Sequence, residues 1–174
     1  SSDLGGTGLV GSAVTSYFRE QFSEVVSVGR KQVDLTDRYA TNKFILDLKP
    51  NLVIDSAAKV GGILANNTYP VDFLVNNLEI QNNLMQACFQ ANVERFIFLA
   101  SSCIYPKLSK QPIKEEYLLS GFLEKTNSAY AIAKIAGIEL VTSYRKQFNK
   151  KWISVIPCNL YGPNDNFEIG RAHV

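Results

Sequence analysis

One pattern constrains this chain more than any other: short apolar runs alternate with longer segments of helical periodicity. Val25–Val28, Leu52-Val53-Ile54, Arg95–Leu99 and Trp152–Ile156 read as strands, with Val33–Leu35 as a possible short addition. Helical patterns occupy Leu9–Phe22, Arg38–Lys49, Val71–Ala91 and Ala129–Phe148. Strands separated by helices predict an α/β fold, a parallel sheet with helices on both faces. Phe96-Ile97-Phe98-Leu99 is apolar at successive positions, as a strand covered on both faces should be. Lys49-Pro50-Asn51 and Asn92 are the expected helix stops. The 174 residues fit a single domain spanning 1–174.

Composition narrows the function classes. With 46% hydrophobic and 20% charged residues, the chain is neither a disordered segment nor a disulfide scaffold. Its 18 basic and 16 acidic residues leave a net charge of +2. That balance argues against nucleic acid or an anionic membrane as the main partner, while a local basic patch for a phosphorylated ligand stays open. Cys88, Cys103 and Cys158 are far apart and odd in number, and no Cys/His ligand cluster exists, so neither a metal site nor a disulfide framework is expected. A reducing, cytoplasmic setting is the simplest reading. Ser1–Leu4 has neither the basic start nor the apolar run of a signal peptide. No apolar stretch reaches the ~20 residues a membrane span needs. The acceptor triplet Asn66-Asn67-Thr68 reads as a chance match.

Gly5-Gly6-Thr7-Gly8-Leu9-Val10-Gly11 opens the first helical segment. Glycine lets a backbone turn sharply and approach a ligand closely. A helix starting there aims its free N–H groups at a pyrophosphate. The bland alternative is a tight strand-to-helix turn. After the next strand comes Arg30-Lys31, where an acidic residue would select NADH and a basic one accommodates a 2′-phosphate. NADPH is therefore expected, against the alternative of a solvated surface pair. A dinucleotide loop should follow a buried apolar strand, yet only Ser1–Leu4 precede Gly5, three of them polar. The first strand of a doubly wound 3-2-1-4-5-6 sheet is thus expected to be missing.

Tyr130-Ala131-Ile132-Ala133-Lys134 sets a phenol and an ammonium one helical turn apart on one face. The ammonium should lower the phenol's pKa from about 10 toward neutrality. Ser101 follows the apolar strand that ends at Ala100, at the strand end where parallel sheets gather ligands. The same helix carries Ile132, Ile135, Ile138, Leu140, Val141, Tyr144 and Phe148 around nearly its whole circumference. Such a helix is buried on more than one side, by the sheet and by either a second subunit or another part of the chain.

Together these residues resemble the extended short-chain dehydrogenase/reductases, which have a Rossmann-like doubly wound fold. Four strings sharpen the resemblance toward the GDP-L-fucose synthases: Ala57-Ala58-Lys59-Val60-Gly61-Gly62-Ile63, Ser101–Lys107, Tyr130–Gly137 and Asn159-Leu160-Tyr161-Gly162-Pro163. It implies NADPH-dependent conversion of GDP-4-keto-6-deoxy-D-mannose to GDP-L-fucose by C3/C5 epimerisation and C4 reduction; the alternatives are another NAD-dependent sugar-nucleotide epimerase or dehydratase and a non-catalytic dinucleotide-binding fragment. Tyr130 would be the proton donor at C4, Lys134 its partner and ribose anchor, and Ser101 the donor to the substrate carbonyl. Cys103 and His173 would form the epimerisation acid/base pair, their reference pKa values of about 8.5 and 6.5 bracketing neutrality. The blander readings are a small buried cysteine and a terminal histidine. Asn77 would be a scaffold for the site. The cofactor would meet Gly5, Gly8, Leu9, Val10, Gly11, Arg30, Ala57, Ala58, Leu99, Ala100, Ser101, Lys134, Pro157, Cys158, Asn159, Leu160 and His173. The resemblance also implies a homodimer.

The chain departs from that pattern at Asp55, where histidine or an apolar residue is commoner, at Ala100 in place of glycine, at Cys158 in place of a hydroxyl residue, and in the approach Arg171-Ala172 to His173. The family continues into a smaller substrate lobe, so 1–174 reads as a partial dinucleotide-binding domain truncated at both ends.

Overall fold

The computed structural model describes residues 2–163. Five parallel strands form one sheet in the order β2-β1-β3-β4-β5: β1 Ser2–Leu4, β2 Val26–Val28, β3 Leu52–Asp55, β4 Arg95–Leu99 and β5 Lys151–Val155. This is the doubly wound order with one outer strand position unfilled among the described residues.

The expectation of a missing first strand is corrected. Ser2–Leu4 is a strand at the centre of the sheet, pairing with Val26–Val28 on one side and Val53–Asp55 on the other. Polar side chains do not forbid this, because the ladder is made by backbone groups, and both neighbours need it for their hydrogen bonds. Val33–Leu35, by contrast, is no strand. Val33 and Leu35 are buried in the core, which accounts for the apolar signal. Between them the Asp34 carboxylate accepts from the Thr36 amide (3.0 Å) and hydroxyl (2.7 Å), which turns the chain. The Leu35 and Thr36 carbonyls accept from Asn83 Nδ2, both at 3.0 Å, so a side chain replaces the neighbouring strand.

The helices are α1 Leu9–Arg19, α2 Arg38–Leu48, α3 Ile63–Thr68, α4 Pro70–Gln90 and α5 Ser128–Phe148. Their ends follow local chemistry. Asp37 caps α2 by accepting from the Ala40 amide, and left-handed Lys49 (φ 47°) ends it before Pro50. Pro70 opens α4, and left-handed Asn149 closes α5. The chain crosses the sheet one way through β1–α1–β2 and reverses through β2–α2–β3. Right-handed crossovers then place α1 on one face and α2, α4 and α5 side by side on the other.

The core lies on that second face. Phe96, Phe98 and Trp152 point into it and meet Ile45, Leu84, Met85, Cys88 and Val141. Trp152 stacks on Phe96 (5.1 Å between centroids) and donates to the Val93 carbonyl. Helices lie on both faces as expected, but the face that carries α1 is less fully covered. Ile97 and Leu99 are half-buried, and Ile153 and Val155 are exposed.

Candidate active site at the carboxyl ends of the strands

Because every strand is parallel, all their carboxyl ends lie at one edge. That edge receives the glycine loop after β1, Arg30 after β2, Ala57-Ala58 after β3, Ala100-Ser101 after β4 and Pro157–Leu160 after β5. Gly162 passes beside the start of α1, where a Cβ would lie 3.7 Å from the Leu9 side chain.

The three spaced glycines do different work. Gly5 adopts φ +101°, and a Cβ there would lie 2.7 Å from the Ser56 carbonyl carbon and 2.8 Å from the Ala57 amide. Gly11 packs α1 on the loop, where a Cβ would strike the Gly5 carbonyl and sit 2.6 Å from Gly6 Cα. Gly8 is different, because its nearest neighbour would be the Gly5 carbonyl at 3.4 Å. No protein atom demands glycine there. An exposed N-cap without a side chain, opening an eleven-residue helix, is what close approach of a pyrophosphate requires. The Gly5 and Gly6 amides both donate to the Val28 carbonyl, tying the loop to the end of β2. Beyond it Arg30 is exposed, with a loose 3.7 Å ion pair to Asp34.

Ser101, Cys103, Tyr130 and Lys134 come together at the same strand-end edge. The Gly137 position lets α5 approach β4 closely, since a Cβ there would collide with the Phe98 ring. Lys134 is 3% exposed, donates to the Leu99 carbonyl at 2.8 Å, and lies 4.7 Å above the Phe98 ring centroid. Its Nζ is 5.8 Å from the Tyr130 ring centroid. The Ser101 hydroxyl and the Lys134 charge both act on the Cys103 thiol.

The protonation states differ from the expectation. Burial, then the fields of Cys103 and Asp55, pushes the Tyr130 phenol up rather than down. The Lys134 ammonium is directed at the Leu99 carbonyl, not at the phenol oxygen. Burial also pushes the Cys103 thiol up, although Ser101 and Lys134 oppose it. Both groups therefore rest in their protonated forms at neutral pH.

Asn77 is indeed a scaffold. Its Oδ1 accepts from the Lys59 amide (2.9 Å) and its Nδ2 donates to the Lys59 carbonyl (3.0 Å) and the Phe73 carbonyl, pinning the loop that follows β3 to α4. Gln81 escaped sequence reading. It is buried, and its Nε2 donates to the Ala133 carbonyl (2.8 Å), gripping α5 between Tyr130 and Lys134. A glutamine on the core face of a predicted helix was the available signal. Asn66 is buried and donates to the Gly61 and Gly62 carbonyls, which agrees with a chance glycosylation triplet. Of the expected cofactor-contacting residues, Leu99 is half-buried, Ala100 is buried, and Cys158, Asn159 and Leu160 are exposed. His173 lies outside the described residues.

Residues 4–174 match the NAD dependent epimerase/dehydratase family. The chain belongs to that family. Among members of the epimerase/dehydratase family, it is 51% identical over 170 residues to a GDP-L-fucose synthase of Sinorhizobium fredii, covering 98% of this chain and 54% of the relative. Its fold superposes with a TM-score of 0.93 on a GDP-D-glycero-L-gluco-heptose synthase from Campylobacter jejuni solved in the presence of NADPH, at 35% identity, covering 100% of this chain and 52% of that one. A GDP-L-fucose synthetase from Naegleria fowleri bound to NADP gives 0.86 at 35% identity, covering 99% and 57%. The chain spans about half the length of the relatives it matches. Among its described residues, no helix is long and apolar enough to cross a membrane.

Proposed function

We propose that the protein carries the dinucleotide-binding half of an NADPH-dependent epimerase/reductase that turns GDP-4-keto-6-deoxy-D-mannose into GDP-L-fucose. The observation that carries this reading is the convergence of Ser101, Cys103, Tyr130 and Lys134 at the strand-end edge that also receives a glycine loop whose Gly8 no protein contact explains. The 51% identity to a GDP-L-fucose synthase supports the substrate.

Gly8 and the first turn of α1 would hold the pyrophosphate and Arg30 the 2′-phosphate of NADPH, with Lys134 at the ribose. When bound, this cofactor supplies a hydride. The chain's own residues handle the protons. Hydrogens at C3 and C5 flank the ketone, so loss of either gives a stabilised enolate, and reprotonation from the other face inverts the centre. Cys103 and His173 are the acid/base pair for that exchange. Ser101 donates a hydrogen bond to the ketone oxygen. Tyr130, kept protonated by burial, gives the C4 oxygen its proton as that oxygen gains negative charge. The protein works in the cytoplasm as a homodimer, in which the exposed Ile132 of α5 contributes to the subunit contact.

The test uses the full-length protein with NADPH and the keto sugar. NADPH should be consumed, and Tyr130→Phe should abolish reduction. Cys103→Ser should stop proton exchange with heavy water at C3 and C5 while leaving NADPH affinity unchanged. Tightly held NAD in the purified protein, with no net consumption of NADPH, would replace this reading with that of a cofactor-recycling sugar-nucleotide epimerase.

A further inference from the structure

Asp55 is fully buried at the end of β3, where one of its carboxylate oxygens accepts from the Ala57 amide at 3.1 Å. Its partner in the β3–β4 register is Phe98. The Phe98 ring in turn has the Lys134 Nζ over it, 4.7 Å from its centroid. A carboxylate and an ammonium, both withdrawn from water, thus flank one aromatic side chain at the centre of the candidate site. A buried charge needs an opposite charge or it gives up its ionisation.

We propose that Asp55 is a positioning residue: its carboxylate is the counter-charge that keeps buried Lys134 an ammonium and so sets the protonation of the Lys134–Tyr130 pair. This rests on the proposed reductase reading and adds a residue to it.

The neighbours leave few alternatives. The titratable groups that feel or share this field are Cys88 on α4, Cys103 in the turn Ser102–Ile104, and Tyr130 and Lys134 on α5. Burial pushes both thiols up, so neither supplies a negative charge at neutral pH. Burial draws the Lys134 ammonium down, and Asp55 is the first group to oppose it. The same carboxylate raises the Tyr130 phenol, which keeps the donor proton in place. Asp55 also shapes the turn holding Ala57, against which Gly5 packs. One side chain thereby joins the cofactor-side turn to the proton-donating pair.

Asp55→Asn keeps an acceptor for the Ala57 amide and removes the charge. In the full-length protein labelled with ¹³C at lysine Cε, the Lys134 signal, assigned through Lys134→Arg, reports its protonation directly. Its titration midpoint should fall by about one pH unit or more in Asp55→Asn. Because both the lysine and the tyrosine lose support for their protonated forms, the basic limb of the pH profile for NADPH oxidation should move down with it. Asp55→Ser, with a smaller acceptor, should do the same if the asparagine variant folds poorly. An unmoved Lys134 midpoint in either folded variant overturns the proposal, and so does lost activity with an unchanged pH profile. If the wild-type protein consumes no NADPH with the keto sugar while the midpoint still moves, the reductase reading fails and the charge pairing stands.

Discussion

Gly8, the N-cap of α1, and Gly11, in its first turn, stand three positions apart, yet they should respond to the same substitution in different ways. Gly8→Ala places a methyl group where the nearest protein atom is 3.4 Å away, at an extended backbone (φ −82°, ψ 176°) that alanine adopts without strain. Losing glycine at an N-cap costs about 0.5–1 kcal/mol, and the restricted unfolded chain returns about 0.4–1 kcal/mol. The net change in stability is therefore close to zero. Gly11→Ala forces a methyl group against the Gly5 carbonyl and Gly6 Cα, backbone atoms that cannot swing aside. Overpacking of this kind costs ~1–3 kcal/mol, while the helix gains about 1 kcal/mol from alanine. With a rigid backbone on the other side, the upper part of that range applies, and the net loss should be about 1–2 kcal/mol. NADPH at 100 times its Kd adds about 2.7 kcal/mol to the wild-type protein. Gly8→Ala should lose most of that increment at the same NADPH concentration, because its methyl group occupies the space the pyrophosphate needs. Denaturant unfolding of the full-length protein with and without NADPH measures both numbers. Undiminished NADPH stabilisation in Gly8→Ala would refute the argument that this glycine is kept for a ligand.

Asn77→Leu removes three hydrogen bonds and leaves the Lys59 amide and carbonyl short of partners, while the Phe73 carbonyl keeps its place in the α4 ladder. It should destabilise by about 2–4 kcal/mol, at ~1–3 kcal/mol per buried group left unsatisfied with partial relief by water, measured by denaturant unfolding. Arg30→Ala alters an exposed side chain, so stability should move by less than about 0.5 kcal/mol. Its affinity for NADPH should fall roughly 10- to 100-fold, as for a charge-assisted hydrogen bond of ~1.5–3 kcal/mol, with NADH binding unaffected. Alkaline pH gives a signed test of Tyr130. Its pKa is raised on folding, so the folded state keeps a proton that the unfolded state releases, and stability falls as pH rises above about 10 toward the folded value. Tyr130→Phe should flatten that decline in pH-dependent unfolding curves.

Local chemistry made much of this protein readable in one dimension. Helix ends announce themselves through Asp37, Lys49-Pro50 and Pro70, and the alternation of apolar runs with helical periods is enough to specify a parallel sheet. The glycine spacing, Ser101 at a strand end and the one-turn separation of Tyr130 from Lys134 are likewise properties of neighbours along the chain. What the linear order could not contain was the company each residue keeps across it. Ser2–Leu4 is a strand because β2 and β3 need a partner, not because of its own side chains. Val33–Leu35 is not one, because Asn83 from α4 takes the carbonyls a strand would have used. The phenol of Tyr130 rises in pKa because folding removes its water and sets Asp55, remote in sequence, within its field. Burial and long-range charge are sums over the whole packed structure, and only the tertiary arrangement decides them.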